Sequence, residues 1–232
     1  MRSRDGLIAV RVMSYNLLRL TVDPVAAAAV VRVAAPEVLG VQEPPRGPWG
    51  RVRLRRFARA AGLRVVVAGK GSRTTALLAA PHVLPADDVE VLRLRWFGSR
   101  IVRRWWARRG AVLARVGGVD VVVVHLALDG AERLRHAGEI LTRLRSRRGP
   151  FVLLGDLNEP PSGPVWARFG ELLVDADPGG ALTFPADGPW HRIDAVLVSR
   201  DVAVRKVLVL DGPQARCASD HLPIVADLDV TR

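Results

Sequence analysis

Two short stretches of this chain carry side chains able to do hydrolytic chemistry. Ala218-Ser219-Asp220-His221-Leu222-Pro223 leads into a last apolar strand, Ile224 to Val230, and Gly155-Asp156-Leu157-Asn158 follows the apolar run Phe151 to Leu154. Open sheets collect their chemistry at strand ends. Polar residues end other apolar runs as well, so that Asn16, Glu43, His125, Asp156, Asn158, Asp194, Asp220 and His221 form one candidate set. Carboxylates and amides are oxygen donors and suit hard Mg²⁺ or Mn²⁺. Zinc would call for closely spaced Cys and His, and the 5 histidines show no such spacing. A divalent ion can neutralise a phosphate and stabilise a leaving oxygen, while a histidine and an aspartate can activate water.

The elements that must position these residues are legible from periodicity. Leu7 to Tyr15 reads as a strand ending at Asn16. Asp23-Pro24 opens a helix to about Ala35, with Asp as cap and Pro in the first turn. Val38 to Val41 is a short buried strand that delivers Gln42 and Glu43. In the next helix, about Gly50 to Ala61, Leu54, Phe57, Ala58 and Ala61 share one face; Arg51, Arg53, Arg55 and Arg59 fall mostly on the other, as a solvated charge run would.

Strands follow at Leu63 to Ala68, Thr74 to Ala79, Val89 to Leu94, Ala111 to Val116 and Val119 to His125, with Gly117-Gly118 as a hairpin turn. Asp129 caps a long helix to about Arg147 whose buried stripe is Leu134, Ala137, Leu141 and Leu144. A strand at Phe151 to Leu154, a short helix near Gly163 to Leu172, and strands at Ile193 to Val198, Val204 to Leu210 and Ile224 to Val230 complete the chain. Two sheets covered by outer helices accommodate this order.

At 232 residues and 49% hydrophobic, the chain can bury the core of one large domain, spanning 1–232, and no linker or repeat divides it. The lone Cys217 excludes an internal disulfide and reads as a small apolar filler. The N-terminal run is interrupted by Arg11, as in a strand rather than a signal peptide, and no apolar stretch approaches the ~20 residues that cross a bilayer. The expectation is a soluble, cytoplasmic monomer. A net charge of +12 admits an anionic partner, nucleic acid or a phosphorylated metabolite or a membrane surface, although Arg has replaced Lys almost throughout and a merely solvated basic surface would give the same count.

Ser14-Tyr15-Asn16, Val41-Gln42-Glu43, Val124-His125-Leu126, Gly155-Asp156-Leu157-Asn158, Arg192-Ile193-Asp194 and Ser219-Asp220-His221 occur in this order. Together they resemble the endonuclease/exonuclease/phosphatase superfamily of metal-dependent phosphoesterases, over residues 8 to 230. Each motif alone is weak; their ordered occurrence at strand ends is specific. The resemblance implies an α/β (α+β) four-layer sandwich, two central, mostly antiparallel sheets flanked by helices, with the site at one edge. It implies Mg²⁺ or Mn²⁺ held by Glu43, Asn16 and Asp220, with Asp156 orienting or deprotonating the attacking water and Asn158 holding a phosphate oxygen. His221 would bind the scissile phosphate or act as acid/base, with Asp194 fixing its tautomer. His125 would approach the phosphate from the opposite side as acid or as a transition-state donor.

Simpler roles exist for the same residues. Asn16 and Asn158 suit turns after strands, and Glu43 before Pro44-Pro45 suits an exposed loop. Asp194 opens an apolar strand and needs a partner such as His221 or Arg192. His82 and His136 read as surface or packing residues, and His191, adjoining the Asp194 motif, either lines the site or stands outside it. The stretch Arg93 to Arg109, with Arg95-Trp96-Phe97 and Arg103-Arg104-Trp105-Trp106, could clamp phosphates and stack on bases, or place Trp inward and Arg outward on edge strands. The expected activity is phosphodiester hydrolysis in nucleic acid. The alternatives are a phosphatase or phosphodiesterase for a small phosphorylated metabolite or phospholipid headgroup, and a catalytically silent relative that binds with the same cleft.

Overall fold

The computed structural model describes residues 7–69, 71–95 and 109–231. The chain runs β1 (Leu7–Asn16), α1 (Pro24–Ala34), β2 (Val38–Gln42), α2 (Gly50–Ala60), β3 (Arg64–Val67), β4 (Thr75–Ala79), β5 (Asp87–Arg93), β6 (Gly110–Val116) and β7 (Val119–His125). It continues with α3 (Gly130–Arg145), β8 (Phe151–Asp156), α4 (Pro164–Phe169), β9 (Leu173–Asp175), β10 (Asp194–Ser199), β11 (Val202–Val209), α5 (Pro213–Arg216) and β12 (Ile224–Thr231). The core of the Arg/Trp stretch, residues 96–108, lies outside the described residues.

Alternation along the strands builds the layers. In β1, Val10 and Val12 point to a cluster shared with Val121, Val123, Val152 and Leu154, whereas Met13 and Tyr15 point to a second cluster with α1 and α2. One sheet has the order β11-β12-β1-β2-β4-β3 and the other β5-β6-β7-β8-β10-β9. The pairs β1–β2 and β7–β8 are parallel and the other pairings antiparallel. Helices α1, α2 and α5 cover the first sheet, and α3 and α4 pack over the second through Leu141, Leu144, Phe169 and Leu153. The result is a four-layer sandwich.

Two glycines permit close backbone approaches, one between the sheets and one within a sheet. A Cβ on Gly40 of β2 would stand 2.8 Å from Leu154 Cβ in the opposite sheet. A Cβ on Gly155 would meet Val124 Cγ2 at 2.2 Å and Val124 O at 2.9 Å, so β8 could not pair with β7 in this register. Truncating Leu154, fully buried between the sheets, should cost about 2–5 kcal/mol.

Asp23 caps α1 by accepting from the amides of Val25 and Ala26, each at 2.9 Å, and Asp129 caps α3 by accepting from Glu132 N at 2.8 Å. Gly117 and Gly118 both take positive φ, as a tight hairpin requires. Two sequence expectations fail. Leu134 is exposed, because α3 turns its inner face to Ala137, Ile140, Leu141 and Leu144 and so carries Ile140 rather than Leu134 into the core. Cys217 is not an apolar filler: it is exposed at the C-cap of α5, its thiol 3.4 Å from Gln214 O.

Candidate active site

Strand register brings the polar termini to one edge. Because β1 and β2 are parallel, Asn16 lies beside Gln42, the residue before Glu43. The other parallel pair sets His125 beside Asp156, and antiparallel β10 sets Asp194 against the same Asp156. β12 begins opposite Ser14, so the preceding Asp220-His221 loop arrives at the end of β1. Ser219 Oγ fixes that loop by donating to Asn16 O at 2.7 Å.

Asp156 is the hub. One carboxylate oxygen accepts from Asn16 Nδ2 at 3.1 Å and lies 3.4 Å from His125 Nε2 and 3.8 Å from His221 Nε2. The other accepts from Asn158 N at 2.9 Å. Burial, followed by the charge of Asp194, raises the Asp156 pKa to about 6, against the opposing pull of His221 and of the two hydrogen bonds. A metal cation beside it would draw that value down again.

His221 Nδ1 stands 2.8 Å from Asp194 Oδ2, with both residues buried. Burial alone would lower the His221 pKa, but Asp194, through its charge and its hydrogen bond, and then Asp156 and Asp220 raise it to about 10. The imidazole is therefore a cation at neutral pH, its Nδ1–H given to Asp194 and its Nε2–H turned toward Asp156. Asp194 gains its partner from His221; Arg192 instead forms two bonds of 2.8 Å to Asp175. His125 behaves oppositely. Burial and the positive Arg109 and His221 hold its pKa well below the usual histidine value, and its buried Nδ1 has no partner among the described residues.

Asp156, Asp194 and His221 present ligand atoms within 4.8 Å of one another, close enough to hold a metal ion. Glu43 lies farther out, with Arg19 Nε 3.4 Å from its carboxylate. Its backbone and that of Asn158 adopt the left-handed region, at φ 49 and 52, which bulky residues avoid and which functional sites tolerate. Asn158 directs Nδ2 to Leu126 O at 3.0 Å, tying its loop to the end of β7. Asp220 is partly exposed, 3.4 Å from Ser219 Oγ.

The segment 183–191 contributes residues that the sequence reading did not select. Thr183 Oγ1 accepts from Asp194 N at 3.4 Å, Thr183 O accepts from Leu222 N at 2.8 Å, and Ala186 N donates to Asp220 O at 2.8 Å. Phe184 packs its ring 4.7 Å from that of His221. His191 stands behind Phe184 at 6.5 Å and against Trp190, so it backs the site rather than entering it. His82 is exposed beside Glu37, and His136 is fully buried. Arg109, half-buried at the start of β6, has its pKa lowered by burial against the opposing charges of Asp156 and Glu43; it brings a cation to the site.

A four-layer sandwich with buried Asp, His and Asn at the strand ends of both sheets is the architecture of phosphoester hydrolases of one family. The chain belongs to the Endonuclease/Exonuclease/phosphatase family, whose sequence profile matches residues 13–221. Members of this family are hydrolases acting on phosphoester bonds. No curated protein matches in sequence. Solved structures share the fold. The endonuclease/exonuclease/phosphatase from Bacteroides vulgatus superposes with a TM-score of 0.77 at 16% identity, over 96% of this chain and 99% of that one. The mannosyl-6-phosphatase of Bacteroides thetaiotaomicron VPI-5482 gives 0.75 at 18% identity, over 94% and 99%. D. rerio TDP2, complexed with a single-strand DNA product, gives 0.73 at 15%, over 95% and 98%.

Proposed function

We propose that this chain is a divalent-metal-dependent phosphodiesterase of nucleic acid, using Mg²⁺ or Mn²⁺. The observation that carries the reading is the buried Asp156, with the amide of Asn16 and the imidazoles of His125 and His221 around one carboxylate oxygen. The net charge of +12 favours a polyanionic substrate. A relative of the same fold, D. rerio TDP2, holds a single-strand DNA product.

The donor chemistry fits a hard cation. Asp194 and His221 already hold each other, so the ligands we assign are the carboxylates of Glu43 and Asp220 and the amide oxygen of Asn16, which keeps one lone pair beyond its bond from Leu18 N. A cation there would neutralise charge on the phosphate and on the leaving oxygen.

The protein's own groups perform the proton transfers. Asp156 is ionised at neutral pH, and it takes a proton from the attacking water. His221 presents its Nε2–H to the phosphate and can hand that proton to the leaving oxygen, while Asp194 holds the ring and offsets its charge. The second hydrogen of Asn158 Nδ2 binds a phosphate oxygen. His125, uncharged, donates from the opposite side without repelling the cation.

Turnover of plasmid DNA, RNA, a chromogenic phosphodiester, sphingomyelin and inositol phosphates, each with and without Mg²⁺, tests the reading. Hydrolysis of nucleic acid and of the chromogenic diester is expected. Turnover confined to inositol phosphates or sphingomyelin would transfer the assignment to a small phosphorylated substrate, and nucleic-acid binding without turnover of any substrate would indicate a silent relative.

A further inference from the structure

Immediately after Glu43 the chain turns along the wall of a cavity of about 680 Å³, lined in part by Pro44, Arg46, Arg51, Leu54 and Arg73. Among the described residues, no Asp or Glu lines it. Several arginines elsewhere are held by carboxylates: Arg11 by Asp227, Arg115 by Asp120, Arg133 by Glu159 and Arg205 by Asp229. Arg46, Arg51 and Arg73 form no ion pair or side-chain hydrogen bond among the described residues. Arg32, Arg55, Arg56, Arg59, Arg64 and Arg200 are exposed and unpaired too; Arg46, Arg51 and Arg73 differ in lining together the concavity that follows Glu43. Three arginines line one concave wall, the charge of Arg73 acts against that of Arg46, and an anion there would relieve that repulsion.

The local backbone is shaped around these side chains. A Cβ on Gly69 would lie 3.1 Å from Arg51 Nη2, so the absent side chain lets the guanidinium lie along the loop. Arg73 adopts the left-handed region at φ 54, with its amide bonded to Gly69 O at 3.0 Å. Trp49, 72% exposed, stands between the cavity-lining Pro48 and Gly50. Arg46 joins the cavity to the active site: partial desolvation and the charges of Arg19 and Arg73 lower its pKa, and Glu43 opposes them. Only Pro44 and Pro45 separate Glu43 from Arg46, three Cα steps that reach at most about 11 Å.

We infer that this cavity is a subsite for a second, non-scissile phosphate of a single-stranded oligonucleotide, gripped by Arg46, Arg51 and Arg73, with Trp49 offering a face for the adjoining base. The inference rests on the proposed phosphodiesterase reading and specifies its substrate. Arginine forks match phosphate oxygens, and an exposed indole stacks on any base. A substrate with one phosphate gains nothing from the cavity; one with two fills both sites.

The test compares bis(4-nitrophenyl) phosphate, which has one phosphate, with a thymidine trinucleotide, which has two, using the wild type, Arg51→Gln, Arg73→Gln and Trp49→Ser. Each arginine variant should raise KM for the trinucleotide about tenfold, with kcat within twofold and the chromogenic diester unaffected. Anisotropy of a labelled oligothymidylate in EDTA, where no turnover occurs, should show the same loss of affinity and a log–log salt slope shallower by about 0.7 per arginine removed. Unchanged trinucleotide KM and affinity, or equal loss on both substrates, would overturn the inference. If the wild type fails on both substrates the phosphodiesterase reading falls, while anisotropy still decides whether the cavity binds the strand.

Discussion

The two sides of the active site use the same residue type for opposite purposes. His221 and His125 both lie buried against Asp156, at 3.8 and 3.4 Å. His221 has a second carboxylate, Asp194, 2.8 Å from its inner nitrogen, and is a cation. His125 has no partner on Nδ1, faces positive Arg109, and is neutral. The difference follows from strand register: antiparallel β10 brings Asp194 to the His221 side, and β7, parallel to β8, brings His125 to Asp156 without a further acid. Burial disfavours charge on both rings, and a directed carboxylate decides which one keeps it.

Removing the residue common to both sides should have the largest effect. Asp156→Asn retains the shape but cannot take a proton from water, and should lower kcat by roughly 10²–10⁴-fold. A loss below tenfold would show that the two imidazoles do not work through this carboxylate.

The next test separates the sides. His221→Asn and Asp194→Asn should each cost about 10²-fold or more, and the double variant little more than the worse single, because the pair acts as a unit. Multiplicative losses would dissolve the pair. NMR titration of Asp194→Asn should show the His221 pKa brought down toward the ordinary histidine value, with His125 still neutral.

The sides should also oppose one another in the pH dependence of stability, measured by denaturant unfolding of the metal-free protein. His221 titrates near 10 when folded and near 6.5 when unfolded, so its contribution is complete below about pH 6.5 and disappears as pH rises through about 10. His125 is held neutral when folded, so the unfolded chain binds its proton first and stability falls as pH drops below about 6.5. Asp156 binds its proton more tightly when folded, so its contribution fades as pH rises from about 4 through about 6. In Asp194→Asn the alkaline loss should disappear and the acid limb remain.

A surface pair sets the lower bound of the comparison. Arg11 and Asp227 meet at 2.6 Å, and the guanidinium holds the Asp227 carboxyl below the usual range. Both are substantially exposed, so Arg11→Gln should cost no more than about 1 kcal/mol at neutral pH. The difference from wild type should shrink as pH falls through the carboxylate range, since Asp227 loses its charge there. A similar geometry at the active-site edge changes catalysis; at the surface it changes stability slightly.

What was legible in the sequence was whatever a strand end carries with it. Asn16, His125, Asp156 and Asp194 sit at the ends of runs whose period announces them, and the register aligns them. Thr183 and Phe184 were not legible, because their contribution passes through backbone bonds to Asp194 and Leu222 and a ring contact to His221 that no local pattern encodes. Arg51 shared a charge run with solvated arginines; only the turn at Gly69 distinguishes it. β9 and α5, at 3 and 4 residues, are too short for periodicity to register.

The central claim, that these strand-end residues form one metal-assisted phosphoesterase site, is tested most directly by hydrolysis of bis(4-nitrophenyl) phosphate during chelation and metal replacement. Turnover should vanish in excess EDTA and return with Mg²⁺ or Mn²⁺, and Glu43→Ala should require far more metal for the same rate while keeping its unfolding transition. Full turnover in excess chelator, or an unchanged metal requirement in Glu43→Ala, would contradict the account.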